Sequence, residues 1–276
     1  MFRRFRVTHP FILLALVLQM GSSSHAFAAA WTQEAGHSQF IYSHPYYNAG
    51  SFFDAGGHRQ PQGTFVKHEE NLYAEYGLRD GLTVGGSLSF NELRQKTPTG
   101  SITATGFTDP ELFIRKRLWR NDHSVFSLQP LVKVPLPHGD GALSLGTEQP
   151  DAELRALYGY GVEAGGLQHF ADVEAAYRVR GGAPSDELHL DATLGLRPRP
   201  DILVLGQAFS TFSVNAPTNP ALNLASCSDY DLVKLQLSAV KTFHERYAVQ
   251  AGVFDNIAGK NTGAGGGAMI SLWVSF

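Results

Sequence analysis

The amino-acid sequence predicts an all-β protein, a closed antiparallel up-and-down transmembrane β-barrel of about twelve strands. Three observations lead to this fold class. Apolar and polar residues alternate with a period of two along most of the chain, tight turns alternate with longer connections, and a secretory signal stands at the beginning. Together these features are typical of a barrel that is exported and then inserted into a membrane.

Residues 1–30 have the composition of a secretory signal. A cluster of three arginines precedes a short apolar run at residues 11–18. Ala26 and Ala28 occupy the two positions at which signal peptidase requires small residues for cleavage after Ala28. The apolar run is far shorter than the ~20 residues that a helix needs to cross a bilayer. We therefore expect cleavage after Ala28 or Ala30, with residues 31–276 forming a single barrel domain.

The charge of the mature chain excludes some partners. The whole sequence has 22 Lys and Arg against 25 Asp and Glu, and loss of the three arginines leaves 19 basic residues and a net charge near −6. A negative chain argues against a nucleic-acid partner. The single cysteine, Cys227, cannot form an internal disulfide, and no His and Cys spacing resembles a metal site. We expect no metal and no cofactor.

Period-two alternation marks each predicted strand. In one strand Leu82, Val84, Gly86, Leu88 and Phe90 alternate with polar or small residues. The predicted strands lie near residues 33–45, 64–78, 81–92, 107–119, 123–137, 151–163, 167–180, 186–197, 201–214, 229–243, 246–256 and 264–276. The first of these alternates weakly, so it forms either a strand or a plug inside the barrel.

The connections alternate in length, as in a meander with one compact end. Five turns are tight and contain Gly, Asn, Asp, Pro or His, whereas most of the others are longer. The first long connection, residues 43–63, carries Tyr46, Tyr47, Phe52 and Phe53. We expect these rings to lie in an extracellular loop at the pore mouth, where they would receive an apolar or ring-shaped solute. For the two tyrosines, the alternative is the aromatic girdle at the membrane interface.

The polar face of the strands is predicted to line a lumen. It mixes acids and bases, as pairing across strands requires, and a soluble barrel has nearer ~8 strands. The apolar face would then meet lipid, where a sheet must close on itself to pair every backbone N–H and C=O. The predicted lumen and selectivity residues are Lys67, Glu69, Glu75, Arg115, Arg117, Lys133, Arg155, Asp172, Glu174, Arg178, Arg180, Glu187, His189 and Asp191.

Some residues fit this pattern only at particular places in a barrel. Pro130, Pro135 and Pro137 fall in one predicted strand, which needs either bulges or an end near Pro135. His68, Glu70 and Lys116 fall on lipid-facing positions. We expect them near strand ends, where a charge costs ~0–1 kcal/mol rather than ~2–4 kcal/mol at mid-bilayer.

The last predicted strand carries an assembly signal. Phe276, Val274 and Leu272 share its apolar face, and the final aromatic suits the membrane interface. This arrangement resembles the signal that the outer-membrane assembly machinery reads. We expect the strand to pair with the first one and close the barrel.

Residues 106–118, GFTDPELFIRKRL, resemble the G-x-x-D-x-x-L-x-x-K-Y-R-L region of a family of bacterial outer-membrane barrels. The flanking stretches at residues 75–90 and 126–139 support the resemblance, whereas Arg117 stands where an aromatic residue is more usual. Members of this family are often encoded beside pathways that degrade phenols by meta-cleavage. The resemblance implies a transporter or channel for small apolar or aromatic compounds.

The sequence does not predict an enzyme. Ser87 and Ser89 are expected to face the lumen and His68 the lipid, and no G-x-S-x-G motif is present. His189 and Asp191 share a face beside acids of the preceding strand. They form either a proton-transfer or ligand cluster or, as we expect, part of a lumen salt-bridge network.

These observations predict an outer-membrane channel or transporter for passive uptake of a small solute, aromatic or apolar. Its partners would be the solute, outer-membrane lipid and the assembly machinery, which it reaches through the periplasm. The alternatives are a structural or adhesion barrel with a filled lumen, a membrane-embedded hydrolase, and a soluble periplasmic β-protein.

Overall fold

The computed structural model describes residues 29–97, 100–138, 143–214 and 229–276. The predicted signal peptide, apart from Ala29 and Ala30, lies outside the described residues, as does Cys227. Within those ranges, no helix has the length and apolar character needed to cross a bilayer.

The described chain is built from thirteen strands that form one sheet. Their bounds are β1 Ser38–Phe53, β2 Arg59–Arg79, β3 Leu82–Thr97, β4 Gly100–Phe107, β5 Glu111–Arg120, β6 Ser124–Lys133, β7 Asp151–Ala164, β8 Leu167–Arg180, β9 Glu187–Arg199, β10 Ile202–Ser213, β11 Asp231–His244, β12 Tyr247–Lys260 and β13 Thr262–Ser275.

Twelve of these strands encircle the barrel, which confirms the predicted fold class. Strand β4 pairs only with residues 90–97 of β3, and β5 pairs with residues 82–87 of the same strand. The sheet closes between β1 and β13, which pair antiparallel. At this seam Ser38 and Phe276 exchange backbone hydrogen bonds of 3.1 and 3.0 Å. Closure leaves no unpaired edge along the seam, as lipid requires.

The outer face of the barrel is an apolar belt. Large side chains such as Leu112, Leu154, Val173 and Leu237 are 54–60% exposed, although a soluble protein would bury them. Aromatic pairs such as Phe40 with Phe276, whose ring centroids lie 6.1 Å apart, stand at the belt's rim. The belt meets the hydrocarbon of a bilayer, and the barrel is therefore of the outer-membrane kind.

The first strand differs from its prediction. Strand β1 begins at Ser38 and continues to Phe53, so residues 46–53 extend the ladder with β2 instead of forming a loop. Only residues 54–58 connect β1 to β2. Strand β4 was not predicted either. Gly100–Phe107 forms a short hairpin arm with β3 and does not itself encircle the barrel.

The residues that fitted the pattern poorly are accommodated locally. Strand β6 ends at Lys133, before Pro135, and its ladder with β5 passes from Leu131 to Leu128 without a pair at Pro130. Lys116 lies opposite Leu82, the first residue of β3, and is thus near the compact barrel end. On the outer face, Glu70 accepts hydrogen bonds from Tyr42 and from Nδ1 of His44, the latter at 2.6 Å.

Candidate functional site: the lumen and its plug

The chain enters the lumen before it begins the first strand. Residues 29–37, which we call the plug, lie at the compact end of the barrel, where the two chain ends of the described domain and the tight turns are found. Residues 29–33 are buried or half-buried there, and residues 34–37 are exposed. Ala30 is fully buried against Val125 and Leu157. For residues 33–45 the prediction left open a strand or a plug. The structure has both in succession, because the plug ends at residue 37 and the strand starts at Ser38.

Hydrogen bonds hold the plug to the barrel wall. The Ala30 carbonyl accepts a 2.7 Å hydrogen bond from Ser127 Oγ, and the Trp31 carbonyl accepts one of 2.9 Å from Arg115. The Gln33 backbone N–H donates to Thr83 Oγ1 at 2.8 Å. Because these partners come from three neighbouring strands, the plug is tied to one side of the lumen.

Glycines in the wall make room for the plug. A Cβ at Gly77 would stand 2.0 Å from the Glu34 carbonyl oxygen, and a Cβ at Gly159 would stand 2.3 Å from the Trp31 ring. Trp31 also meets Phe170 edge-on, with ring centroids 6.2 Å apart. The plug is therefore packed into the wall as well as hydrogen-bonded to it.

A buried ion pair lies beside the plug. Arg115 is 3% exposed and Glu75 is 7% exposed, and their side chains lie 3.1 Å apart. Arg115 also donates to Gln129 at 2.9 Å, and Gln33 of the plug donates to Glu75 at 2.5 Å. The plug thus completes the polar contacts of this pair. Without such contacts two buried charges would be costly.

The middle of the lumen holds a network of ion pairs. Arg155 binds Glu153 at 2.8 Å and both Glu174 and Asp191 at 2.6 Å. Arg178 binds Glu153 at 2.8 Å. Arg178 also binds Glu111, at 2.8 Å, an acid that the sequence analysis did not single out. Glu111 shares the alternation frame of Arg115, and that signal could have identified it.

Further pairs lie toward the extracellular end. Arg180 binds Glu187 at 2.7 Å, and Glu187 lies 3.0 Å from the His189 ring. Lys133 binds Asp151 at 2.7 Å. These residues form a salt-bridge network, in which His189 is paired with Glu187 and Asp191 with Arg155.

The remaining predicted lumen residues occupy three separate places. Lys67 binds Glu69 at 2.6 Å on the opposite side of the barrel. Arg117 reaches the exposed turn residue Asp80 at 2.5 Å, so it lies at the compact rim. Asp172 is buried in the wall, and neither of its carboxylate oxygens has a hydrogen-bond partner.

The pore-mouth loop predicted for four aromatic residues is wrong in its placement, because all four lie in β1. Alternation along the strand then separates them. Tyr46 lies on the outer face against His68, with ring centroids 5.1 Å apart. Tyr47 faces inward and stacks on Phe254, with a centroid distance of 6.3 Å. Phe53 is buried near the strand end and Phe52 is half-buried, so the four rings do not form one receiving surface.

A cavity of ≈ 320 Å³ lies in the lumen beside the plug. Its lining mixes polar and charged side chains with apolar and aromatic ones, and both kinds occur on the same strands. The polar lining residues include Arg155, Glu174, Asp191, Gln207 and Gln236, and the apolar ones include Phe170, Leu203, Leu205, Phe209, Met269 and Trp273. Ala29 of the plug lines the same cavity.

Ser89 and His68 do not form a hydrolase site. Ser89 faces the lumen and is bound to Asn71 and Glu69, both at 2.8 Å. His68 lies on the outer face beside Tyr46. The barrel wall separates the two side chains, so this serine has no histidine base.

Comparison with solved structures places the fold. The COG4313 outer membrane channel from Pseudomonas putida F1 has a TM-score of 0.74 at 15% identity, over 90% of this chain and 98% of that chain. The NanC porin has a TM-score of 0.52 at 9% identity, over 85% of this chain and 98% of its own. Neither a family model nor the sequence of a curated protein matches the chain. The chain therefore has the twelve-stranded fold of a bacterial outer-membrane β-barrel.

Proposed function

We propose that the protein is an outer-membrane channel for a small solute, closed at its periplasmic end by the plug. The observation that carries this proposal is the ≈ 320 Å³ lumen cavity, which is lined by both polar and apolar side chains and is bounded by Ala29. A structural barrel whose lumen is filled by its own side chains would not contain such a cavity. Lumen cavities of this size are typical of small-molecule sites.

The mixed lining suggests the class of solute. Phe170, Phe209 and Trp273 offer flat rings to an apolar or aromatic body. Gln207 and Gln236, in the same lining, offer hydrogen bonds to a polar substituent. A phenol or an aromatic acid has both parts. The resemblance of residues 106–118 to barrels associated with aromatic degradation supports the same class.

The plug must leave or shift for solute to pass, because it occupies the compact end of the lumen. Its hydrogen bonds run to Ser127, Thr83, Arg115, Glu75 and the Gly77 backbone, all on one side of the lumen. A segment tied at one side can be released while the barrel ladder stays intact. The plug thus acts as a gate in this proposal.

Single-channel recording in planar bilayers tests the channel. We expect few or small current steps from the mature protein and larger discrete steps from a variant whose chain begins at Ser38. Equal conductance from both proteins would contradict a gating plug. Liposome uptake of phenol or benzoate, compared with a sugar of similar size, then tests the solute class.

A structural barrel with a filled lumen is the second candidate. The ion-pair network around Arg155 and Arg178 favours it, since its side chains project into the lumen and bind one another. This alternative predicts that the variant beginning at Ser38 inserts and stays folded but passes no current. The same recording therefore distinguishes the two functions.

A further inference from the structure

Asp172 is a buried carboxylate without a partner. It lies on β8, is 3% exposed, and neither Oδ1 nor Oδ2 accepts a hydrogen bond. Buried charged groups in proteins are paired because removal of the charge from water is otherwise very costly. Asp172 therefore calls for a cation or a strong donor that these contacts do not include.

The neighbouring arginines are already engaged. Arg115 donates to Gln129, Glu75, Tyr73 and the Trp31 carbonyl. Arg155 donates to Glu153, Glu174 and Asp191, so three carboxylates share one guanidinium. The lumen wall around these two arginines thus carries more acids than bases, and Asp172 adds to that excess of acids.

The beginning of the plug lies against this wall. Asp172 pairs directly across the ladder with Gly159 on β7. A Cβ at Gly159 would stand 3.0 Å from the Ala30 Cβ, so Ala30 sits over that position. Ala29 lines the cavity together with Glu174, Asp191 and the Arg155 that binds both acids. The first plug residues therefore lie beside the position of Asp172 and close to the ion pairs of β7, β8 and β9.

The structure also discriminates between the two predicted cleavage sites. Ala30 is fully buried, and its carbonyl accepts the 2.7 Å hydrogen bond from Ser127. Cleavage after Ala30 would remove both contacts, whereas cleavage after Ala28 keeps them. Hydrolysis of the Ala28–Ala29 peptide bond consumes one water and yields a carboxylate on Ala28 and an ammonium group on Ala29.

We propose that signal-peptide cleavage after Ala28 creates the missing partner of Asp172, and that this ion pair anchors the plug. Before cleavage, the Ala29 nitrogen is an uncharged amide and cannot balance the carboxylate. After cleavage, it is a cation beside an acidic wall. Export processing therefore completes the seating of the plug. This inference rests on the predicted signal peptide and holds whether the lumen conducts or is filled.

The test begins with the mature protein isolated from outer membranes of a Gram-negative host. Intact mass should place its first residue at Ala29. The rate of α-amine acylation by a succinimidyl ester is then measured against pH, with a peptide of the same N-terminal sequence as reference. An ion pair that raises the α-amine pKa by one unit above its ordinary ~7.7–8.0 slows labelling at neutral pH by about tenfold.

Three variants separate an ion pair from simple packing. Asp172→Asn should return the amine to the labelling rate of the peptide. The control Glu187→Gln, which removes a carboxylate already paired with Arg180, should leave the amine protected. If Asp172→Asn fails to fold, a chain with Gly-Ser placed before Ala29 keeps Asp172 and moves the amine away. That amine should also label as fast as the peptide.

Several results would overturn the proposal. A mature chain that begins at Trp31 would carry its α-ammonium group on residue 31 and would have no cation at the Ala29 position. Wild-type labelling at the rate of the peptide would show that the amine is unpaired. An amine that stays protected in Asp172→Asn would mean that a proton or a solution cation, and not the chain's own ammonium, balances Asp172. None of these outcomes depends on channel activity.

Discussion

The ring of Trp31 occupies the space that a side chain at Gly159 would fill. A Cβ at residue 159 would lie 2.3 Å from Trp31, whereas a Cβ at Gly161, two residues along the same face, would lie 3.9 Å from that ring. Contacts near 2.3 Å are impossible without movement, and contacts near 3.9 Å are ordinary. The plug and strand β7 are therefore matched to each other at one position.

Gly159→Ala should release the plug. The added methyl group cannot coexist with the Trp31 ring, and the ring belongs to a segment held by few hydrogen bonds. We expect larger conductance steps than in the wild type and a red shift in tryptophan fluorescence. Gly161→Ala is the matched control and should change neither. Wild-type behaviour of Gly159→Ala would show that the plug does not close the channel.

Arg115→Met should destabilise the barrel by about 3–5 kcal/mol, because it leaves Glu75 buried without its cation. Unfolding in urea, followed by gel mobility or fluorescence, measures this change. Glu75→Gln added to the same chain should restore part of the loss. Arg117→Met is the control, since its partner Asp80 is 85% exposed, and it should cost about 0–1 kcal/mol. Equal losses for the two arginines would refute the buried pair.

Lys234→Met should shift ion selectivity toward cations once the plug is removed. The Lys234 ammonium lies in the lumen, 4.5 Å from the ring centroid of Phe209 and 5.6 Å from that of Phe254. Ring faces attract the cation without neutralising its charge. Reversal potentials in a KCl gradient measure the shift. Lys116→Met removes the same charge from the outer face and should leave selectivity unchanged.

Acid should loosen the connection between β6 and β7. Burial alone would raise the pKa of Asp109, but hydrogen bonds from the Leu136 and Thr147 amides and from His138, together with the nearby Lys133 ammonium, hold it below its usual value. The unfolded carboxyl has the higher pKa, about 3.9. The stability from this group is therefore complete above that pH and is lost as pH falls toward the folded value.

Hydrogen exchange of peptides covering residues 134–138 and 143–149 checks this dependence. The protection factor of these peptides in the wild type, which is the intrinsic exchange rate divided by the measured rate, should fall as pH falls below about 4. Asp109→Asn should show fast exchange already at neutral pH and little further change. Asp54→Asn, which alters the β1–β2 loop, is the control and should leave these peptides as in the wild type. A pH-independent wild type would contradict the role given to Asp109.

Local alternation was sufficient to predict most strands and the faces of their residues. Leu190 and His189, for example, are neighbours that point to opposite sides, and each sits on the face that the pattern predicts. The aromatic run from Tyr46 to Phe53 misled the prediction because its small and polar neighbours resemble a loop. These residues belong to β1 because they pair with β2 and β13, and the residues of those strands lie outside the local stretch of sequence.

Sequence alone was sufficient for the barrel, its lipid face and the pool of charges in its lumen, because a period of two is a local property of an extended chain. Only the tertiary structure decided which charges meet. Arg155 reaches Glu174 and Asp191 on the next two strands through the register of the ladders. It also decided that residues 29–37 enter the lumen. That segment has no periodicity, and its place is set by Gly77, Gly159 and Arg115, which lie far along the chain.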